Sequence, residues 1–109
     1  MRVTGGVLRG RSIRVPRVGV RPMQDRVRQA LFSILGDRVQ GCRFLDLFAG
    51  SGVVGIEAWS RGAGVVWWVE RDGPIFSVLK ENVESLCWAE EPETKSDIRP
   101  VRADVWRFL

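Results

Sequence analysis

The segment Asp46-Leu-Phe-Ala-Gly-Ser-Gly52 constrains the fold of this chain more than any other. A short apolar run, Cys42-Arg43-Phe44-Leu45, precedes it, and a helix-like stretch, Val53 to Arg61, follows it. Strand, glycine-rich turn, helix is how a doubly wound α/β domain opens its ligand site. A second apolar run, Val65-Val66-Trp67-Trp68-Val69, ends in Glu70, 24 positions after Asp46. An acid at the tip of that strand is where such folds hold a pair of ribose hydroxyls. The pattern points to a nucleoside-bearing ligand.

The rest of the chain fits the same frame. Arg2-Val3-Thr4 and Ser12-Ile13-Arg14-Val15, separated by Gly5-Gly6 and Gly10, read as a small β-hairpin with projecting arginines that ends at Pro16. Val27, Ala30, Leu31, Ile34 and Leu35 recur at helical spacing, so a helix is predicted with these residues inward and Gly36 as its stop. Arg21, Arg26 and Arg28 fall off that stripe or at its border and are expected to reach solvent. Strands are predicted at Arg43–Phe48, Gly64–Glu70 and, interrupted by Pro100, at Ile98–Arg102. A helix is expected from Pro74 to about Leu86, a polar loop over 88–97, and a new helix from Val105 with Asp104 as its cap. Alternating strands and helices imply a parallel sheet, whose ligands bind beyond the carboxyl ends of the strands. Asp46–Gly52, Glu70 and Asp104 all fall there.

Charge divides the chain. Residues 1–43 carry ten arginines against two acids, whereas residues 44–109 carry seven bases against eleven acids. A basic arm on a mildly acidic body suits a polyanionic partner, and arginine's planar fork suits phosphate oxygens in particular. Arg9, Arg11, Arg14, Arg21, Arg26 and Arg28 are the candidate contacts. No apolar stretch is long enough to span a membrane, and Arg2 is not followed by a secretory apolar core. There is no histidine and no CxxC, which argues against a metal site. Cys42 and Cys87 read as small core hydrophobes in a reducing cytoplasm. The five tryptophans (59, 67, 68, 88 and 106) read as packing residues and not as a base-stacking platform.

Gly50-Ser-Gly52-Val-Val-Gly55 also matches a dinucleotide fingerprint, so an NAD(P)-type cofactor is a rival. A pyrophosphate, however, wants bare N–H groups and positive potential at the helix N-terminus. Asp46 opposes that. S-adenosylmethionine (SAM) has no phosphate, and its ammonium suits an acid beside a glycine turn. On this reading Asp46, Phe48, Ala49, Gly50, Ser51 and Gly52 form the loop, Glu70 takes the ribose, Asp104 the adenine amine, and Arg71 packs beside the base.

Three segments carry a family resemblance: Gly5-Gly6 with Arg9-Gly-Arg11; Arg21-Pro22-Met-Gln-Asp25-Arg26-Val-Arg28-Gln-Ala30-Leu-Phe32-Ser-Ile-Leu35; and Asp46–Gly52 with Gly55-Ile-Glu57-Ala and Ser60-Arg61-Gly62-Ala63. Together they resemble bacterial 16S ribosomal RNA guanine-N2 methyltransferases, over nearly all of the chain to about Glu84. The resemblance implies a Rossmann-like SAM-methyltransferase fold, present here in part as parallel strands 1–3 with their helices. A basic arm at residues 1–22 would precede the first half of the methyltransferase domain at 23–109. It implies ribosomal RNA, within a small-subunit particle, as the partner. Met23-Gln24 stands where the family has Thr-Thr. An Asn/Asp-Pro-Pro-aromatic motif that such enzymes use to grip the target amine does not occur in these residues. The expectation is therefore a chain without turnover of its own, with an unpaired sheet edge open to self-association. A non-catalytic RNA- or SAM-binding module is the alternative from another class.

Overall fold

The computed structural model describes residues 1–16, 23–94 and 97–109, so the expectation for Arg21 lies outside the described residues. Its elements are α1 (Asp25–Leu35), β1 (Arg43–Leu47), α2 (Val53–Ser60), β2 (Val65–Glu70), α3 (Gly73–Asn82), β3 (Ile98–Arg102) and α4 (Val105–Phe108). Helix α3 runs on through a π-helical segment, Val83–Trp88. The strands form a parallel sheet in the order β1-β2-β3, with Phe44 opposite Val66 and Val66 opposite Ile98. Pro100 sits within β3, an edge strand, where its missing N–H is tolerated.

Alternation along the strands divides the packing. Phe44 stacks on Phe32 of α1 at 6.1 Å, and Trp68 is fully buried with its indole N–H donated to the Gly52 carbonyl at the start of α2. Trp67 points the other way and meets Phe108 of α4 edge-on at 6.2 Å. On that second face an open apolar hollow of about 310 Å³ is lined by Arg43, Leu45, Val65, Trp67 and Phe108, with Phe44 at its border. Cys87 lies in the core among the π-helical residues, where burial pushes its thiol up to about 12.

The arm and α1 correct two expectations. The expected hairpin is reduced to a single antiparallel bridge, Arg2 to Ser12. The arm is held instead by its apolar side chains, since Val3, Leu8 and Ile13 belong to the main core. In α1 the inward seam is Arg28, Leu31, Phe32 and Leu35, while Val27, Ala30 and Ile34 are exposed. Arg28, expected in solvent and as a polyanion contact, is fully buried. Its Nε donates to Glu57 at 2.8 Å, its NH1 to the Met23 carbonyl at 3.1 Å and its NH2 to Asp25 at 2.9 Å and to the Arg2 carbonyl. A guanidinium with this many acceptors can enter a core that its charge alone would forbid.

Glu57, also fully buried, is the other half of this knot. It accepts from Arg28, from Arg61 Nε at 2.8 Å, and from the N–H groups of Thr4 and Gly5 at 3.0 Å each. Burial works against its charge, but the Arg28 and Arg61 hydrogen bonds outweigh it and hold the carboxyl below its ordinary value. Removing one partner strands the other. Arg28→Met is expected to cost about 3–5 kcal/mol of folding stability by urea denaturation. The double variant with Glu57→Gln is expected to lose less than the two single losses combined.

Candidate functional site

The turn from β1 into α2 is built on glycine. Gly52 takes φ +89° at the N-cap of α2, and a Cβ on Gly55 would collide with the Trp68 indole. Phe48 is the one non-glycine residue with positive φ among the described residues, at +56°. A left-handed phenylalanine costs roughly 1–2 kcal/mol. Its ring is 73% exposed, so core packing does not repay that cost.

Three acids stand at the carboxyl ends of the three strands. Asp46, next to last in β1, accepts the Gly55 N–H at 3.1 Å. Glu70, the last residue of β2, accepts the Gly50 N–H at 2.9 Å with one oxygen and the Asp72 N–H at 2.9 Å with the other. Asp104, just past β3, caps α4 by accepting the Trp106 N–H at 2.9 Å. Its second oxygen lies 3.7 Å from Arg71 NH1. A cavity of about 160 Å³ opens among Phe48, Glu70, Arg71, Asp104 and Trp106, floored by Val69 and Val105. Of the sequence-predicted residues, Phe48, Glu70, Arg71 and Asp104 thus line one cavity, while Asp46 and Gly50–Gly52 form the turn beside it.

Asp46 is the electrostatic anomaly. Burial pushes its carboxyl up to about 7 against the opposing Gly55 N–H, and the charge of Glu70 adds to the rise. No basic side chain among the described residues is paired with it. The folded chain therefore keeps a proton on Asp46 between about pH 4 and pH 7 that the unfolded chain has released. This contribution to stability is full below the unfolded value and is lost as pH rises through about 7.

Sequence reasoning missed Asn82. Its amide donates to the Ser51 carbonyl at 2.9 Å and to the Arg14 carbonyl at 2.8 Å, and its side-chain oxygen accepts the Arg14 N–H at 3.1 Å. It ties the arm to the glycine turn through α3. No local pattern marks a mid-helix asparagine for that task. Ser51 itself is buried, with its hydroxyl unpaired among the described residues.

Of the candidate arginines, Arg9, Arg11, Arg14 and Arg26 are exposed. Arg11 pairs with Glu90 at 3.1 Å and Arg14 with Glu81 at 2.6 Å. Such exposed pairs are weak and leave the arginines exchangeable to another anion. Among the described residues no cluster of His, Cys, Asp or Glu could hold a metal ion, and no helix is long and apolar enough to cross a membrane.

Comparison with known proteins gives a consistent result. The family described as "Conserved hypothetical protein 95" matches residues 1–104. The chain is 41% identical over 87 residues to ribosomal RNA small subunit methyltransferase D of Escherichia coli K12, covering 79% of this chain and 44% of that protein. It thus spans about half the length of the curated relatives it matches. A solved hypothetical protein of Thermus thermophilus superposes with a TM-score of 0.80 at 40% identity, over 99% of this chain and 58% of the other. An RNA methyltransferase of Salinibacter ruber in complex with S-adenosyl-L-homocysteine superposes at 0.59 and 20% identity, over 78% of this chain and 51% of the other, a likeness of fold alone.

Two outcomes are expected of the site itself. Asp46→Asn should raise stability at pH 8, by on the order of 1–4 kcal/mol, and flatten its fall between pH 4 and pH 7, read by denaturation across pH. Phe48→Gly should leave the unfolding free energy within about 1 kcal/mol of the parent, because relief of the left-handed strain offsets glycine's entropy.

Proposed function

We propose, for a chain that belongs to the family described as conserved hypothetical protein 95, that Asp46–Gly52, Glu70 and Asp104 hold SAM for methylation of the N2 amine of a guanine in 16S ribosomal RNA. The observation that carries this reading is Asp46: a half-buried carboxylate with no basic partner among the described residues, set beside a glycine turn, repels a pyrophosphate and attracts an ammonium group. Glu70 has lone pairs left for two ribose hydroxyls after accepting from Gly50 and Asp72. Asp104 keeps one oxygen clear of its cap bond for the adenine amine. The relatives' naming as rRNA methyltransferases supports the same reading.

Bound there, SAM supplies an electrophilic methyl group on a positively charged sulfur. The residues of this chain bind and orient it: the acids fix its two ends, and the glycine turn permits close approach of the backbone. The exposed Arg9, Arg11, Arg14 and Arg26 engage the RNA phosphates, and Arg28 acts behind them by fixing α1 to α2. Transfer requires the amine lone pair in line with the methyl group, with the methyl–sulfur bond breaking and the amine losing a proton. The 109 residues contain no Asn/Asp-Pro-Pro-aromatic sequence to present that amine. On this proposal they bind cofactor and RNA but do not turn over unaided, act in the cytoplasm, and self-associate through the edge of β1 that pairs with no strand among the described residues.

Calorimetry with SAM against NAD tests the cofactor. SAM affinity should be about tenfold weaker at pH 6 than at pH 8, because the ammonium needs ionised Asp46, and Asp46→Asn should lose that dependence. Preference for NAD would overturn the reading. For RNA, Arg9→Ala with Arg26→Ala should weaken binding across sequences and reduce the slope of log affinity against log salt by about 1–2. An unchanged slope would remove the arm from the interface.

A further inference from the structure

Trp106 takes no part in the core. It is the second residue of α4 and is 81% exposed, the most exposed of the large hydrophobic side chains in the described structure. Its backbone is nevertheless anchored. The Trp106 N–H is donated to Asp104 Oδ1, the carboxylate assigned to the adenine amine. Its side chain lines the same 160 Å³ cavity as Glu70 and Asp104. Phe48, the other strongly exposed aromatic of this region, lines that cavity as well and is held there in a strained left-handed conformation. Two aromatic rings line one small cavity, and one of them sits on a strained backbone of the kind that collects at ligand sites. They are well explained by a flat π-system bound between them. The cavity's polar groups identify that system. A strand-end carboxylate for a diol and a second carboxylate for an exocyclic amine describe an aminopurine nucleoside.

We infer that Trp106 is the base-stacking residue of this site, closing with Phe48 on the adenine ring. The inference rests on the cofactor reading above. It adds a binding residue that sequence reasoning had assigned to packing, and a reason for the Phe48 conformation. It also divides the work of recognition: Asp104 distinguishes the amine, while the indole supplies affinity that depends little on which purine is bound.

S-adenosyl-L-homocysteine titrated into the parent chain, Trp106→Ala and Trp106→Phe tests this by calorimetry, with tryptophan emission followed in parallel. Trp106→Ala should weaken binding by about 5- to 100-fold and Trp106→Phe by about threefold or less, because phenylalanine keeps a π-face. Adenosine alone should lose the same factor. In the parent the ligand should change the emission, and in Trp106→Phe that change should shrink to the part the other tryptophans give while calorimetry still registers binding. The unfolding midpoint of Trp106→Ala should match the parent, since so exposed a side chain contributes little to the fold. Equal affinity of Trp106→Ala and a binding-competent parent overturns the role of Trp106 and leaves the cofactor reading standing. A parent chain that binds neither ligand overturns the cofactor reading and this inference with it.

Discussion

The fold turns on one buried ion pair. Arg28 and Glu57 are both fully buried and 2.8 Å apart, and around them converge α1, α2 and the first five residues of the chain. Two bare charges in a core are costly. Here each is surrounded by enough partners that the pair becomes a joint: the glutamate takes two guanidinium groups and two backbone N–H groups, and the arginine reaches two carboxylates and two carbonyls. Thr4 and Gly5 have no ladder of their own for those N–H groups. Without Glu57 the arm would bury donors with no acceptor. The alignment of the basic arm relative to the sheet therefore follows from one carboxylate on α2.

The carboxyl end of the sheet obeys the opposite logic. There, acids are left under-compensated. Asp46 meets one backbone N–H and a neighbouring acid, so its charge is only half favoured near neutrality. Glu57 is fully buried and Asp46 half-buried, yet their carboxyls are moved in opposite directions from the ordinary value. The difference is the supply of arginine. On the proposed reading, a site that receives a cationic group is left without a basic side chain of its own, at some cost to the fold.

What was legible in the sequence is what is local. The strand–glycine–helix unit, the acid at Glu70 and the Asp104 cap follow from residues within one or two turns of each other, where period and turn chemistry decide, and the parallel sheet follows from the alternation of strands and helices. The α1 face was misread because its stripe contains an arginine. Burial of Arg28 depends on Glu57, 29 residues away, and no periodicity scores a partner at that distance. The hairpin was over-read for a similar reason: Val3, Leu8 and Ile13 follow the shape of a distant core rather than a strand pattern. Trp106 is invisible as a site residue until β3 brings it beside β2, since tryptophan in isolation signals packing.

Asn82 also bears on the timing of folding. The arm's backbone is satisfied by Glu57 and Ser60 of α2 and by Asn82 of α3, at sequence separations of 52 to 68 residues. Contacts of that span close slowly, because the intervening chain has to order first. During synthesis the arm emerges before α3 and must wait, basic and unsatisfied, until α3 has been made. Residues made before the sheet are thus among the last to find their places, and α3 sets the moment at which the arm becomes a surface.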